Sequence, residues 1–438
     1  MKTTPRLLAL SLLALLLLTV PLSAQPVKHV IVMISDGCGF NPVEASSFYR
    51  FGKPDGWVYQ QFPVKLAMSH FPLGGSYDPA LAWSDFLYVK KGPTDSAASA
   101  TALSSGVKTF NGAIGVGPDK QPVENILERA EKQGMASGVV TSVPFSHATP
   151  AGFLVHNEGR GNYADIAQSM ANSAAEVVMG AGDPDYDDSG KLRDTPKYEY
   201  LSQALWEQLK AGTASSDANG NGKPDAWKLL QTKEEFQSLL QGDAPDRVFG
   251  IAQVGSTLQE GRGGDGKAAA YTVPFNTNVP SLTEMSLGAI RVLNKDPKGF
   301  CMMIEGGAID WAGHSNLSGR CIEEEVAFSE AVEAVVKWVD QNSNWTETLL
   351  IVTGDHETGY LTGPGSDPKW QPLVNNGVGQ MPGMEWHYGS HTNSLIPLFA
   401  KGAGSAYFTT CAQGDDPVRG KYVDNTDVAK AVFAALDK

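Results

Sequence analysis

Four short segments of this 438-residue chain repeat one pattern: an almost unbroken apolar run that stops at a small turn carrying ionisable residues. They are HVIVMIS (29–35), SGVVTSV (137–143), GFCMMIE (299–305) and TLLIVTG (348–354), followed closely by Asp36-Gly37, Ser146-His147-Ala148-Thr149, Ala308-Ile309-Asp310 and Asp355-His356-Glu357. A strand without a polar face must be buried on both sides, as central strands of a parallel sheet covered by helices are. Helical spacing of apolar residues at Val123 to Ala130, 281–294, 322–339 and 427–438 supplies the covering layers. The chain therefore reads as an α/β fold with a mostly parallel central sheet sandwiched by helices. Such sheets bind ligands beyond the carboxyl ends of their strands, so the residues that follow the runs are site candidates.

Lys2 and Arg6, the apolar run Leu7 to Val20 and Pro21-Leu22-Ser23-Ala24 have the three parts of a secretory signal peptide. Cleavage is expected after Ala24, which leaves one domain over 25–438 and places the protein in the periplasm or outside the cell. The apolar run is too short for a membrane anchor, which takes roughly 20 residues. The formal charge is −14, and losing Lys2 and Arg6 with the leader makes it more negative still. That balance argues against non-specific binding to nucleic acid or to an anionic membrane, both of which need basic patches. Two stretches, around 183–250 and 361–388, lose the apolar rhythm and read as insertions rather than core sheet. Within the first, Asp217, Asn219, Asn221 and Asp225 alternate as in a calcium loop, although Lys228 stands where such a loop has its final Glu. Cys38, Cys301, Cys321 and Cys411 permit two disulfides in an exported chain, with three connectivities left open, and Cys38 and Cys301 read equally as small buried thiols.

In Thr94-Asp95-Ser96-Ala97-Ala98-Ser99, a hydroxyl opens a run of small helix-forming residues that stops at Gly106. Unpaired N–H groups and the dipole at a helix N-terminus favour an attached anion, which suits a phosphorylated serine. The same residues also suit an ordinary helix cap. The decision rests with Asp36, Thr149, Glu305, Asp310, His314, Asp355, His356 and His391, which mostly fall at or just after strand ends. As a group they mix nitrogen and oxygen donors suited to zinc and to a harder ion such as magnesium. Asp310 and His314, four apart, share a face of any helical turn. His29, His70, His156 and His387 fit no such pattern and read as structural.

Taken together, TDSAASATAL, GVKTFNGAIGV, HATPA, Arg160, MIEGGAIDWAGH, TGDHETG and GSHTNS occur in an order that resembles the alkaline phosphatases over most of the chain. The resemblance implies hydrolysis of phosphate monoesters, with Ser96 as the nucleophile and Arg160, oriented by Asp95, gripping two phosphate oxygens. It implies one zinc on Asp310, His314 and His391, a second on Asp36, Asp355 and His356, and magnesium on Asp36, Thr149 and Glu305. A homodimer is a further implication. His147 and Trp311, beside the substrate, stand where the best-known enterobacterial members have aspartate and lysine. The rivals are a metal-dependent phosphodiesterase or sulfatase of the same superfamily, and a phosphate- or metal-binding protein without catalysis. The Cys-x-Pro-x-Arg segment of sulfatases is absent, and no ligand or nucleophile is missing.

Overall fold

The computed structural model describes residues 27–437, so the signal-peptide reading lies outside the described residues. The four apolar runs form strands His29–Ser35, Ala136–Pro144, Phe300–Gly306 and Thr348–Gly354, and every residue in them is buried. Their side chains alternate between two cores: Val30, Val32 and Ile34 join one cluster, Ile31 and Met33 the other. Helices Ser96–Ser105, Ile126–Lys132, Ala148–Leu154 and Thr426–Leu436 close the first core, and Phe40–Phe51, Leu282–Leu293 and Ser318–Asn342 close the second. Capping follows the sequence directly. Ser281 and Glu284 exchange side-chain and backbone hydrogen bonds as a capping box, and Asn125 with Glu128 does the same.

The sheet has 11 strands. From edge to edge they are Gly414–Asp416, Gly420–Asp424, Val64–Ser69, Ile396–Gly402, Thr348–Gly354, His29–Ser35, Phe300–Gly306, Ala136–Pro144, Val177–Ala181, Val248–Ile251 and Lys228–Leu230. Pairing is parallel from Thr348–Gly354 through to the Lys228–Leu230 edge. Ile396–Gly402 runs antiparallel to both its neighbours. The in-register pairing of His29–Ser35 with Thr348–Gly354 and Phe300–Gly306 aligns Ser35, Gly354 and Gly306, so Asp36, Asp355 and Glu305 emerge side by side.

One expectation needs correction, and one question left open is answered. The stretch 183–250 is not all insertion, because Lys228–Leu230 and most of Val248–Ile251 form the last two strands of the main sheet. An edge strand of three residues, one of them exposed, carries too little apolar pattern to be read in advance. The four cysteines are free thiols. Cys301 packs in one core, with Cys411 against its edge, while Cys38 and Cys321 pack in the other, so the sheet separates the first two from the second two.

The remaining insertion features are plain. In 361–388, Leu361–Thr362 pairs with Glu385–Trp386, and Trp370 packs against Trp83 and Phe86 at ring distances of 5.4 and 5.2 Å. The Asp217 loop is the tip of a small hairpin, Ser215–Ser216 with Asp225–Ala226, closed by its own hydrogen bonds. Gly222 N–H donates to Asp217 and Ala218 N–H to Asp225, and Asn219 and Asn221 each accept the N–H two residues on as Asx turns. Among the described residues no helix is long and apolar enough to cross a membrane.

Candidate active site

Ser96 is the first residue of its helix, and Asp95 is the cap, its Oδ1 accepting Ala98 N–H at 2.9 Å. Asp95 supplies the cap of this stretch, which leaves the Ser96 hydroxyl out of it. Asp95 Oδ2 accepts Gly112 N–H at 2.9 Å and Arg160 Nη1 at 3.0 Å, so one carboxylate starts the helix and aims the guanidinium. The helix is held against the sheet by Ser99 Oγ, which donates to the Asp355 carbonyl at 2.7 Å. Ser96 is 2% exposed, and its Oγ lies 3.2 Å from His356 Nε2.

Around that hydroxyl the strand ends bring two clusters together. His314 Nε2 and His391 Nε2 lie 3.0 Å apart, each 3.4 Å from Asp310 Oδ1. Asp310 and His314 do share one helical turn, Ala308–His314. In the second cluster His356 Nε2 is 3.2 Å from Asp355 Oδ2 and 3.6 Å from Asp36 Oδ1. Thr149 Oγ1 is 3.4 Å from the other oxygen of Asp36. Glu305 is fully buried and accepts from Thr141 Oγ1 at 2.5 Å. The eight candidates thus converge, and His29, His70, His156 and His387 lie in other hydrogen-bond networks.

These donors fit divalent cations. Asp36 Oδ1, Asp355 Oδ2 and Glu305 Oε1 are buried without a hydrogen-bond partner, an arrangement costly unless a cation meets them. Burial, reinforced by mutual repulsion, pushes the carboxyl of Asp36 well up, that of Asp355 to about 6 and that of Glu305 to about 7. Cations reverse that bias toward the neutral acid. The other histidine nitrogens are already oriented by carbonyls, His391 Nδ1 at 2.9 Å from Thr94 O and His314 Nδ1 at 2.9 Å from Gly389 O.

The clusters open into a cleft of about 630 Å³ lined by Ser96, Asn111, His147, Arg160, Trp311 and others. Arg160 is the only Lys or Arg among the described residues lining it. His147 packs between Tyr163 and Trp311, at ring distances of 5.9 and 5.8 Å. Burial, aided by the Arg160 charge, lowers the His147 pKa to about 3, so the ring is neutral. Two contributors escaped the sequence reading. Thr358 Oγ1 donates to Asp310 Oδ1 at 2.5 Å and sits 3.3 Å from His356 Nδ1, and Thr141 holds Glu305. Threonine is common in strands, and nothing in their spacing set these two apart.

A mostly parallel α/β sheet whose strand ends set a helix-opening serine beside buried carboxylates and imidazoles has the donor set of a protein that binds divalent cations beside a hydroxyl. Comparison with known proteins narrows it. Residues 27–396 match the sequence model of the family described as alkaline phosphatase, and the chain belongs to that family. It is 31% identical to alkaline phosphatase 4 of Bacillus subtilis, over 80% of this chain and 66% of that protein. With the alkaline phosphatase of Escherichia coli it shares 29% identity, over 88% and 83% of the two chains. The cold-active alkaline phosphatase of a psychrophilic Shewanella superposes with a TM-score of 0.66 at 25% identity, covering 94% of this chain and all of that one. The protein is thus a phosphatase enzyme.

Proposed function

We propose that the enzyme hydrolyses phosphate monoesters to an alcohol and inorganic phosphate through a phosphoserine at Ser96. One observation carries the reading: the Ser96 hydroxyl is 3.2 Å from an imidazole of the donor cage, at the start of a helix, in a cleft where Arg160 is the one Lys or Arg among the described lining residues. Asp310, His314 and His391 would hold one zinc, Asp36, Asp355 and His356 the other, and the all-oxygen set Asp36, Thr149 and Glu305 magnesium. Bound there, zinc supplies the Lewis acidity that ionises hydroxyl groups near neutral pH and stabilises a departing oxygen.

The rest belongs to the chain. Ser96 Oγ attacks phosphorus, the bond to the ester oxygen breaks, and the alcohol leaves with a proton. Water then attacks the phosphoserine and frees phosphate, restoring the hydroxyl. The helix N-terminus and the planar fork of Arg160 match the charge spread over the phosphoryl oxygens in both steps. Asp95 engages one guanidinium nitrogen and leaves the others to the substrate. Selectivity then rests on phosphate, and the leaving group faces an open cleft. The leader reading puts this reaction in the periplasm or outside the cell, after cleavage behind Ala24.

The purified protein is expected to turn over p-nitrophenyl phosphate far faster than its bis-ester. Activity should be lost on chelation, return with zinc, and be absent in Ser96→Ala. Faster turnover of the bis-ester would replace this reading with a diesterase.

A further inference from the structure

A second cavity, about 340 Å³, lies where the Ser318–Asn342 helix meets the loop that precedes Leu282. Its walls include Leu258, Tyr271, Phe275, Val279, Leu282 and Ala327. Tyr271 and Phe275 are 45% and 40% exposed, large for aromatic residues, and their rings meet edge to face at 5.6 Å. The acidic residues contributed by the helix differ sharply in how they are satisfied. Glu323 accepts from Arg262 at 2.8 Å and from Tyr271 N–H at 2.6 Å, and Glu330 pairs with Arg50 at 3.1 Å. Glu324 also lines the cavity and is 5% exposed, yet its Oε1 is buried with no hydrogen-bond partner. Leaving a buried acceptor unpaired costs on the order of 1–3 kcal/mol, and Glu324 is one of the residues that line the cavity, so a small turn of its carboxylate would meet a donor there.

We propose that this cavity is a binding site for a small organic ammonium ion with a hydrophobic body, its N–H donating to Glu324 Oε1 and its apolar part lying against Tyr271, Phe275, Leu258 and Val279. The size is that of a small-molecule pocket, apolar in its walls with few polar groups to orient a ligand. Charge selects the cation. Glu324 stands beside Glu260 and Glu323, and the single Lys or Arg among the described residues lining the cavity, Lys233, is half-buried with its Nζ turned to the Thr277 carbonyl at 3.4 Å. Burial, with Glu260 and Glu323 adding to it, raises the Glu324 carboxyl to about 8, a cost that a bound cation offsets. Aromatic faces at the mouth favour an ammonium over a neutral head group.

The metal-loaded enzyme is titrated calorimetrically with 2-phenylethylammonium and with 2-phenylethanol, in buffer above that value, with excess inorganic phosphate occupying the catalytic cleft. The ammonium should bind one per chain and about tenfold or more tighter than the alcohol, since the charge-assisted hydrogen bond is the difference between them. Glu324→Gln should abolish that preference, and Ala327→Trp, which fills the cavity, should abolish both bindings. No binding of the ammonium, equal binding of the two probes, or binding untouched by Ala327→Trp would each overturn the proposal.

Discussion

Thr358 illustrates how much of the site is decided by single side chains outside the cage. Its hydroxyl bonds to Asp310 and approaches His356, so it spans one member of each proposed zinc set. Outer partners of this kind typically carry about 10- to 100-fold in metal affinity. Thr358→Val, nearly isosteric, is expected to weaken zinc binding by that order in chelator competition while leaving the circular dichroism unchanged; unchanged affinity would remove Thr358 from the site. At Trp311 the expectation runs the other way. An indole beside neutral His147 adds no cation for phosphate, so Trp311→Lys should lower the product-inhibition constant for phosphate, and equal constants would show that Trp311 only packs. The donor side chains that the fold brings together and the Asp310–His314 spacing were legible in the sequence because few side-chain types can serve as metal donors. Thr358 and Thr141 were not, since their contacts are made across 48 and 164 positions of chain.

Elements position those side chains by sharp turns at strand ends. Gly37 follows Asp36 with φ of +77°, and a Cβ there would stand 2.4 Å from Asp310 Cα. Gly37→Ala therefore forces both a left-handed non-glycine backbone, about 1–3 kcal/mol by itself, and movement of the Ala308–His314 helix. The expected result is a lower unfolding midpoint together with weaker binding of the zinc proposed for the Asp310 cluster; a variant of unchanged stability and zinc affinity would refute the account. The buried central strands could be read in advance because a run without a polar face has few alternatives. The Lys228–Leu230 edge strand could not, because it is short and partly exposed, and Val248–Ile251 beside it is buried but only four residues long.

Across the whole molecule, stability should depend on pH through carboxyls buried away from the site. Glu176 receives Ser137 N–H at 2.8 Å at the base of two neighbouring strands, and burial raises its pKa from near 4.5 to about 7. With the folded value above the unfolded one, its contribution is fully present below about 4.5 and is lost as pH rises through about 7. Glu176→Gln should thus be the more stable protein at alkaline pH, by roughly 1–2 kcal/mol, with the difference shrinking below pH 5. Denaturant melts at both pH values test this, and a pH-independent difference would contradict it. Taken alone, the order of residues determined the buried strands, the helix starts and the inventory of donors, because hydrophobic periodicity and capping act over a few neighbouring positions. Only the tertiary structure decided which donors meet, which thiols stay apart on opposite faces of the sheet, and which acid in the second cavity is left without a partner. Those outcomes depend on strand register and on contacts between distant segments, which no local pattern records.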